Sequence, residues 1–301
     1  MIRQYTERLE AWFGDRDVYL ETCLKMVLIL LLLFVQDIPW DDMLVPLLVV
    51  PGLLVRRIAF SPYYWLVISA TFVLFYLVLG LQHYLPNHKY NFTFLILSVT
   101  LALFARENDE DWPRLLRKLA RWVIGFCFLY ATIGKFLAPE FLDGSFFEFT
   151  CLTDERFHGM TSVVTGIGTT ELYGGYQSFM QLLATSDPSM QIGVLSNPML
   201  KPAGLFLAYW TIFIEGMIAI TYLAPRGSWL NRRREWFLLL FIITTYPIAT
   251  VPGFATMLAC AAFIQSFHKG KPTLFSLFYL LLFMAVPLFK LPFLRIFDLI
   301  F

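Results

Sequence analysis

The sequence predicts an all-α fold, that of a polytopic helical membrane protein. Hydrophobic residues make up 58% of the 301 residues, aromatic residues make up 18%, and the mean hydropathy is +0.65. Soluble domains are less apolar than this. The apolar stretches are continuous, as in spanning helices, and do not alternate with polar residues as in membrane strands. The net charge of +1 gives no indication of a nucleic-acid partner.

The chain begins with an expected interfacial helix at residues 1–19. Apolar and aromatic residues recur on one helical face: Ile2, Tyr5, Leu9, Trp12 and Phe13. A solvated helix packed on loops is an equal alternative. Scattered carboxylates exclude a cleavable signal peptide: Glu7, Glu10, Asp15, Asp17 and Glu21.

Apolar stretches then predict about nine transmembrane helices. They lie at residues 20–36, 42–57, 63–82, 91–106, 118–138, 203–224, 235–250, 254–268 and 273–290. Eight spans are the alternative, in which Pro247 and Pro252 kink one long helix. That alternative would place Lys269 and Lys271 on the outside.

The distribution of basic residues predicts the orientation. One set of connections holds most of them: Arg3, Arg8, Arg16, Arg56, Arg57, Arg106, Arg114, Arg117, Lys118, Arg121, Arg226, Arg232, Arg233, Arg234, Lys269 and Lys271. The other side has Asp37, Asp41, Asp42, Lys89, Arg156 and Lys201. The amino terminus is therefore expected in the cytoplasm. Asp111 is the expected N-cap of the helix that contains Pro113 in its first turn.

The longest segment between spans, residues 138–202, is expected to form an exoplasmic cap of short helices, one of them at 176–184. A disordered loop is the alternative, but structureless loops of this length are uncommon. His83, His88 and His158 have irregular spacing, so no metal site is expected. Cys23, Cys127 and Cys260 lie in apolar spans and Cys151 lies outside them, so no intramolecular disulfide is expected.

Two ionisable residues within spans are candidate functional residues. Lys135 lies about one turn from the outer end of its helix, after Gly134, which allows a ligand or backbone to approach closely. A lysine that snorkels to the headgroups is the alternative. Glu215 lies near mid-membrane, where the carboxyl must be protonated or paired. Lys135 is its nearest candidate partner.

Residues 130–137 (YATIGKFL), followed by residues 141–144 (FLDG), resemble a signature of the vitamin K-dependent γ-carboxylase-like membrane domain. This family is also called the horizontally transferred transmembrane (HTTM) domain. Residues 87–90 (NHKY) resemble its earlier Asn-His-x-Tyr signature, and the resemblance extends over residues 18–268. Tyr246 departs from the family, which has a histidine there.

The resemblance implies a mechanism and a site. In the carboxylases a lysine deprotonates a reduced naphthoquinone, oxygen adds, and the strong base that forms removes a γ-proton from glutamate before carbon dioxide adds. Lys135 matches that lysine, and His88 matches a histidine of the carboxylation half. The residues expected to bind substrate or cofactor are Asn87, Tyr90, Gly134, Asp143, Glu215 and Tyr246.

The resemblance therefore implies one membrane domain over residues 1–301 that uses a lipid-soluble isoprenoid quinol to modify a substrate at the exoplasmic face. Carboxylation by a lyase-like reaction is one such modification. The first alternative is a non-enzymatic membrane partner for the maturation or export of a peptide or protein, and a transporter is the second. A bacterial inner membrane is the expected location. The substrate, the quinone and the oligomeric state remain open.

Overall fold

The computed structural model describes residues 15–33, 41–74, 88–107, 111–185, 197–249, 251–267 and 273–288. Within these ranges every regular element is helical, so the predicted all-α class is confirmed. The expected interfacial helix at residues 1–19 falls largely outside the described residues. Its last residues belong to the first helix described below.

Fourteen α-helices occur in the described ranges. They are α1 (Arg16–Leu33), α2 (Asp41–Leu54), α3 (Arg56–Ala59), α4 (Pro62–Val73), α5 (His88–Glu107), α6 (Trp112–Leu137), α7 (Pro139–Leu142), α8 (Ser145–Thr153), α9 (His158–Thr165), α10 (Thr169–Thr185), α11 (Leu200–Leu223), α12 (Trp229–Thr245), α13 (Pro252–Ser266) and α14 (Leu274–Leu288). A short 3₁₀ helix, Glu155–Phe157, lies between α8 and α9.

Each of the nine apolar stretches overlaps a helix within the described ranges, but helix length varies. Two helices, α6 and α11, are long and apolar enough to cross a membrane. Several others are shorter apolar helices, so the full set of crossings stays a prediction. The helix is interrupted here, since α12 ends at Thr245 and α13 begins at Pro252, and the choice between eight and nine spans stays a prediction.

The chain divides into two compact units. Unit 1 comprises residues 1–124 and 252–301, and unit 2 comprises residues 125–251. The boundary lies within α6, so the first half of this helix belongs to unit 1 and the second half to unit 2. The predicted single domain over residues 1–301 is not tested by this division.

Unit 1 has its core around α1, α5 and α13. Tyr19 on α1 donates a hydrogen bond to the backbone carbonyl of Ile264 at 2.6 Å and stacks on Phe267 with ring centroids 3.7 Å apart. Ser69 on α4 and Thr100 on α5 form a buried hydrogen bond of 2.7 Å. These contacts satisfy polar groups inside an otherwise apolar core.

Unit 2 combines the second half of α6 with α11, α12 and the cap helices α7 to α10. Phe141, Phe147 and Phe157 form the cap core together with Leu172 and pack on the first half of α11. The helices expected in this segment are therefore present in residues 138–185, and the disordered-loop alternative is wrong there. Their position on the exoplasmic side stays a prediction. The helix expected at 176–184 begins earlier, at Thr169.

Candidate functional site

Lys135 and Glu215 form an ion pair inside unit 2. The Lys135 Nζ lies 2.5 Å from Glu215 Oε2, and the side chains are 19% and 10% exposed. Lys135 occupies the last turn of α6, where a cation is favoured by the helix dipole. Its amine is directed at a carboxylate of α11, so the snorkelling alternative is wrong. The pairing expected for Glu215 is confirmed.

Two glycines lie where α6 and α11 contact each other. A Cβ atom on Gly125 would lie 2.7 Å from the Leu223 side chain, so this position has no room for a larger residue. Next to Glu215, a Cβ on Gly216 would be in ordinary contact with the Thr132 methyl group at 3.6 Å.

The cap supplies a second contact to Lys135. Its Nζ lies 5.4 Å from the centroid of the Phe141 ring, a cation–π distance. The turn after Phe141 is held by Gly144, which has a φ of +80° and whose Cβ would lie 2.8 Å from the Leu205 backbone nitrogen. Glycine is required there both for the left-handed backbone and for the close approach to α11.

Asp143 stabilises this turn. Its carboxylate accepts a hydrogen bond of 2.8 Å from the Ser145 backbone N–H. Hydrogen bonds from Ser145 hold the pKa of the fully exposed Asp143 carboxyl below its usual range. The structure thus gives Asp143 a role in the loop, and its expected role in binding stays a prediction.

Open space lies beside Gly134. No atom lies within 4 Å of where a Cβ on this residue would be. On the same face of α6, Tyr130 one turn before it is 70% exposed and Leu137 after it is 77% exposed. An apolar surface with a gap at the glycine therefore adjoins the lysine.

Sequence reasoning missed Cys127, which lies two helical turns before Lys135 on α6. Cys127 is within electrostatic range of Lys135 and Glu215, and also of Tyr246. Tyr246 follows α12 directly and makes an edge contact with the Phe241 ring at 6.1 Å. The sequence held one signal for Cys127. It precedes Lys135 by eight residues, and this spacing places it on the helix face that carries the ion pair.

The remaining predicted site residues belong to unit 1. His88 is the first residue of α5, and Tyr90 is half-buried on that helix. Asn87 and the side chain of His88 lie outside the described residues. The expected convergence of these residues with Lys135 therefore stays a prediction. Among the described residues, no group of three or more His, Cys, Asp or Glu side chains is arranged to hold a metal ion.

A second buried ion pair in unit 2 was also missed. Arg234 Nε lies 3.1 Å from Glu235 Oε1, and Arg234 Nη1 donates to the Asn231 side-chain oxygen at 3.1 Å. Asn231 donates to the Thr221 carbonyl at 3.2 Å, and the Tyr222 hydroxyl donates to Glu235 at 3.4 Å. This network joins α11 to α12. The sequence showed only a basic run that indicates a membrane side.

The Lys135–Glu215 pair can exchange a proton. Transfer of one proton across the contact converts two buried charges into a neutral amine and a neutral carboxyl, which removes the desolvation cost of both charges. An amine in that form can accept a proton from an acidic group beside Gly134. The arrangement is therefore suited to acid–base chemistry on a molecule that reaches the apolar face of α6.

Comparison of the chain with models of known protein families, with curated proteins and with solved structures finds no match.

Proposed function

We propose that this protein is a multi-pass membrane enzyme in which Lys135 acts as the base on a lipid-soluble quinol. The observation that carries the proposal is the Lys135–Glu215 ion pair, which lies next to the open space at Gly134. A buried ion pair is a poor source of stability, since a hydrophobic pair of similar volume is often as good or better. Its presence within a span therefore favours a functional role.

Glu215 and Lys135 have different roles in the proposed proton transfer. Glu215 takes a proton from the Lys135 ammonium through the 2.5 Å contact, which leaves a neutral amine. That amine then accepts the proton of an acidic hydroxyl placed beside Gly134. Glu215 Oε1 makes no hydrogen bond among the described residues, so the carboxyl can rotate once Lys135 is neutral and pass the proton held on Oε2 to water.

The surroundings of Lys135 fit an isoprenoid quinol. The gap at Gly134 gives room for a flat ring, and the exposed side chains of Tyr130 and Leu137 offer an apolar track for a tail. When bound, a reduced naphthoquinone supplies the acidic hydroxyl and, with oxygen, the oxidation that drives carboxylation in the resembled family.

The proposal includes about nine spans in a bacterial inner membrane, with the site facing the exoplasmic side. Cysteines introduced at Ser145 and Ser178 are expected to react with an impermeant maleimide added outside, with the wild type as the background control. A cysteine at Ser228 is expected to react only after permeabilisation. Reversed labelling would exclude an exoplasmic site.

The quinol is tested by mass spectrometry of lipids that co-purify with the protein. In Gly134→Leu the new Cβ has no atom of another element within 4 Å, so the variant is expected to fold normally and to lose the quinone. Gly174→Leu is the matched control, because the space around Gly174 is equally open and lies on the cap helix α10. Equal quinone content in both variants, or none in the wild type, would contradict the proposal.

A second candidate function is a non-enzymatic partner for peptide or protein maturation or export. The observation that favours it is the exposed apolar surface of the cap, where Val163 is 86% exposed, Leu183 57% and Phe149 55%. Large exposed apolar patches mark interaction sites. Val163→Asp with Leu183→Asp is expected to abolish the biological activity if this candidate holds, and to leave quinol turnover unchanged if the enzyme proposal holds.

A further inference from the structure

A cavity of about 700 Å³ lies in unit 1, and none of its lining residues belongs to the lysine site. It forms where the start of α1, the turn from α3 to α4, the end of α5 and the start of α6 meet. The lining residues are Arg16, Asp17, Leu20, Arg56, Arg57, Phe60, Ser61, Arg106 and Trp112. Four of these side chains are guanidinium groups and one is a carboxylate.

Two of the four arginines already have carboxylate partners. Arg16 lies 3.3 Å from Asp111, and Arg56 lies 3.1 Å from Asp17 and 3.4 Å from Glu21. These contacts neutralise the two cations and fix their side chains at one wall of the cavity.

The other two arginines, Arg57 and Arg106, have no carboxylate partner within the part of the chain that the structure describes. The Arg106 guanidinium lies 5.4 Å from the centroid of the Phe60 ring, and the Arg56 guanidinium lies at the same distance from that ring. The Phe60 ring therefore contacts both Arg56, which has carboxylate partners, and Arg106, which has none among the described residues, and both groups line the cavity. Among the described residues, two of the positive charges that line the cavity have no carboxylate partner.

The base of the cavity is rigid and aromatic. Phe60 makes an edge contact with Trp112 at 6.1 Å, and Trp112 is only 7% exposed. The turn that carries Phe60 and Ser61 is tied down by a hydrogen bond of 2.7 Å from Trp65 Nε1 to the Ala59 carbonyl. The Arg106 guanidinium is thus held against a fixed aromatic frame, which reduces the entropy lost on binding.

We propose that this cavity binds a phosphate monoester. Such a group carries about two negative charges near neutral pH, which matches the two unpaired guanidinium groups. Guanidinium forks bind phosphate oxygens in pairs. The volume exceeds what an inorganic ion needs and lies in the range of small-molecule sites, so the ester also brings an organic group onto Phe60 and Trp112. The headgroup of an anionic phospholipid and a soluble phosphate ester share this chemistry.

Calorimetric titration of the full chain in an uncharged detergent tests the proposal. The probes are dioctanoyl phosphatidic acid, glycerol 3-phosphate and, as the zwitterionic control, dioctanoyl phosphatidylcholine. At least one of the first two is expected to bind, with a Kd about tenfold or more below that of phosphatidylcholine. Binding of phosphatidic acid alone identifies a lipid headgroup as the ligand, and binding of both identifies the phosphate ester itself.

The variant Arg57→Gln/Arg106→Gln is expected to raise the Kd at least about tenfold and to melt like the wild type. Arg232→Gln/Arg233→Gln is the matched control, because it removes the same charge and one guanidinium–aromatic contact, that of Arg233 with Trp229 at 5.8 Å. If the double variant fails to fold, Arg57→Gln alone serves, since Arg57 has no described polar contact. Absence of phosphate-ester binding, or an equal loss in the control variant, would overturn the proposal.

Discussion

Unit 2 holds two buried ion pairs of similar exposure and different surroundings. The Arg234–Glu235 side chains are 22% and 11% exposed, and the Lys135–Glu215 side chains are 19% and 10% exposed. The first pair is part of a network with Asn231 and Tyr222 that joins two helices. The second has a single hydrogen bond between its members and open space beside it.

This difference separates a structural role from a chemical one. A pair whose members are held by several hydrogen bonds is fixed, and its removal leaves polar groups of the network without partners. A pair with one hydrogen bond can move a proton or accept a ligand at little structural cost. Burial alone would not have distinguished the two pairs.

The largest effect on stability is expected when one member of the Lys135–Glu215 pair is replaced. Glu215→Leu leaves the Lys135 ammonium uncompensated, so the free energy of unfolding should fall by about 3–5 kcal/mol. Glu215→Gln keeps an acceptor for the amine and should cost about 1–3 kcal/mol. Unfolding in detergent measures both variants. Equal melting would indicate that the carboxyl makes no specific contact.

Removing both members at once sharpens the comparison. Lys135→Met/Glu215→Leu is expected to be neutral or more stable than the wild type by about 1–4 kcal/mol. Arg234→Met/Glu235→Leu should be less stable by about 1–3 kcal/mol, because Asn231 and Tyr222 lose hydrogen-bond partners. The same unfolding measurement compares the two double variants. If both shift stability in the same direction by the same amount, the two pairs have equivalent roles.

The smallest effect is expected for an ion pair at the surface of the cap. Hydrogen bonds from Arg156 hold the pKa of the Asp154 carboxyl below its usual range, while partial burial acts in the opposite direction. The carboxylate therefore contributes stability above about pH 4, and this is lost as the pH falls through the lowered pKa. Exposed pairs contribute about 0–1 kcal/mol.

The melting temperature of Asp154→Asn, compared with the wild type from pH 6 to pH 3, measures this contribution. The difference is expected to shrink as the pH falls, because the wild-type carboxylate becomes protonated. A difference that is constant across this range would show that the charge of Asp154 makes no contribution to stability.

Local patterns predicted much of the fold. Each apolar stretch overlaps a helix within the described ranges, and the cap is helical as its aromatic content indicated. The predicted start of α10 was wrong. Leu172 is fully buried in the cap core, and its packing extends the helix toward the amino terminus from Gly174. Burial in a tertiary core is not visible in the residues around a helix end.

The sequence predicted only part of the candidate site, because it shows rare charged residues but not the contacts between distant positions. Lys135 and Glu215 are conspicuous because charged residues within spans are rare, so they could be selected without a structure. Cys127 has no charge and looked like an ordinary apolar residue. The arginine cavity draws residues from positions 16 to 112, and the sequence indicated only their membrane side.

The most direct test of the central claim is the oxygen-dependent oxidation of a reduced naphthoquinone by Lys135→Arg. Arginine keeps the charge and can still pair with Glu215, but it does not lose its proton in the useful range. The variant is therefore expected to express, insert and retain quinone, while turnover falls about 10²–10⁴-fold relative to the wild type. Full activity of Lys135→Arg would contradict the assignment of Lys135 as a base and leave its ion pair with a structural role.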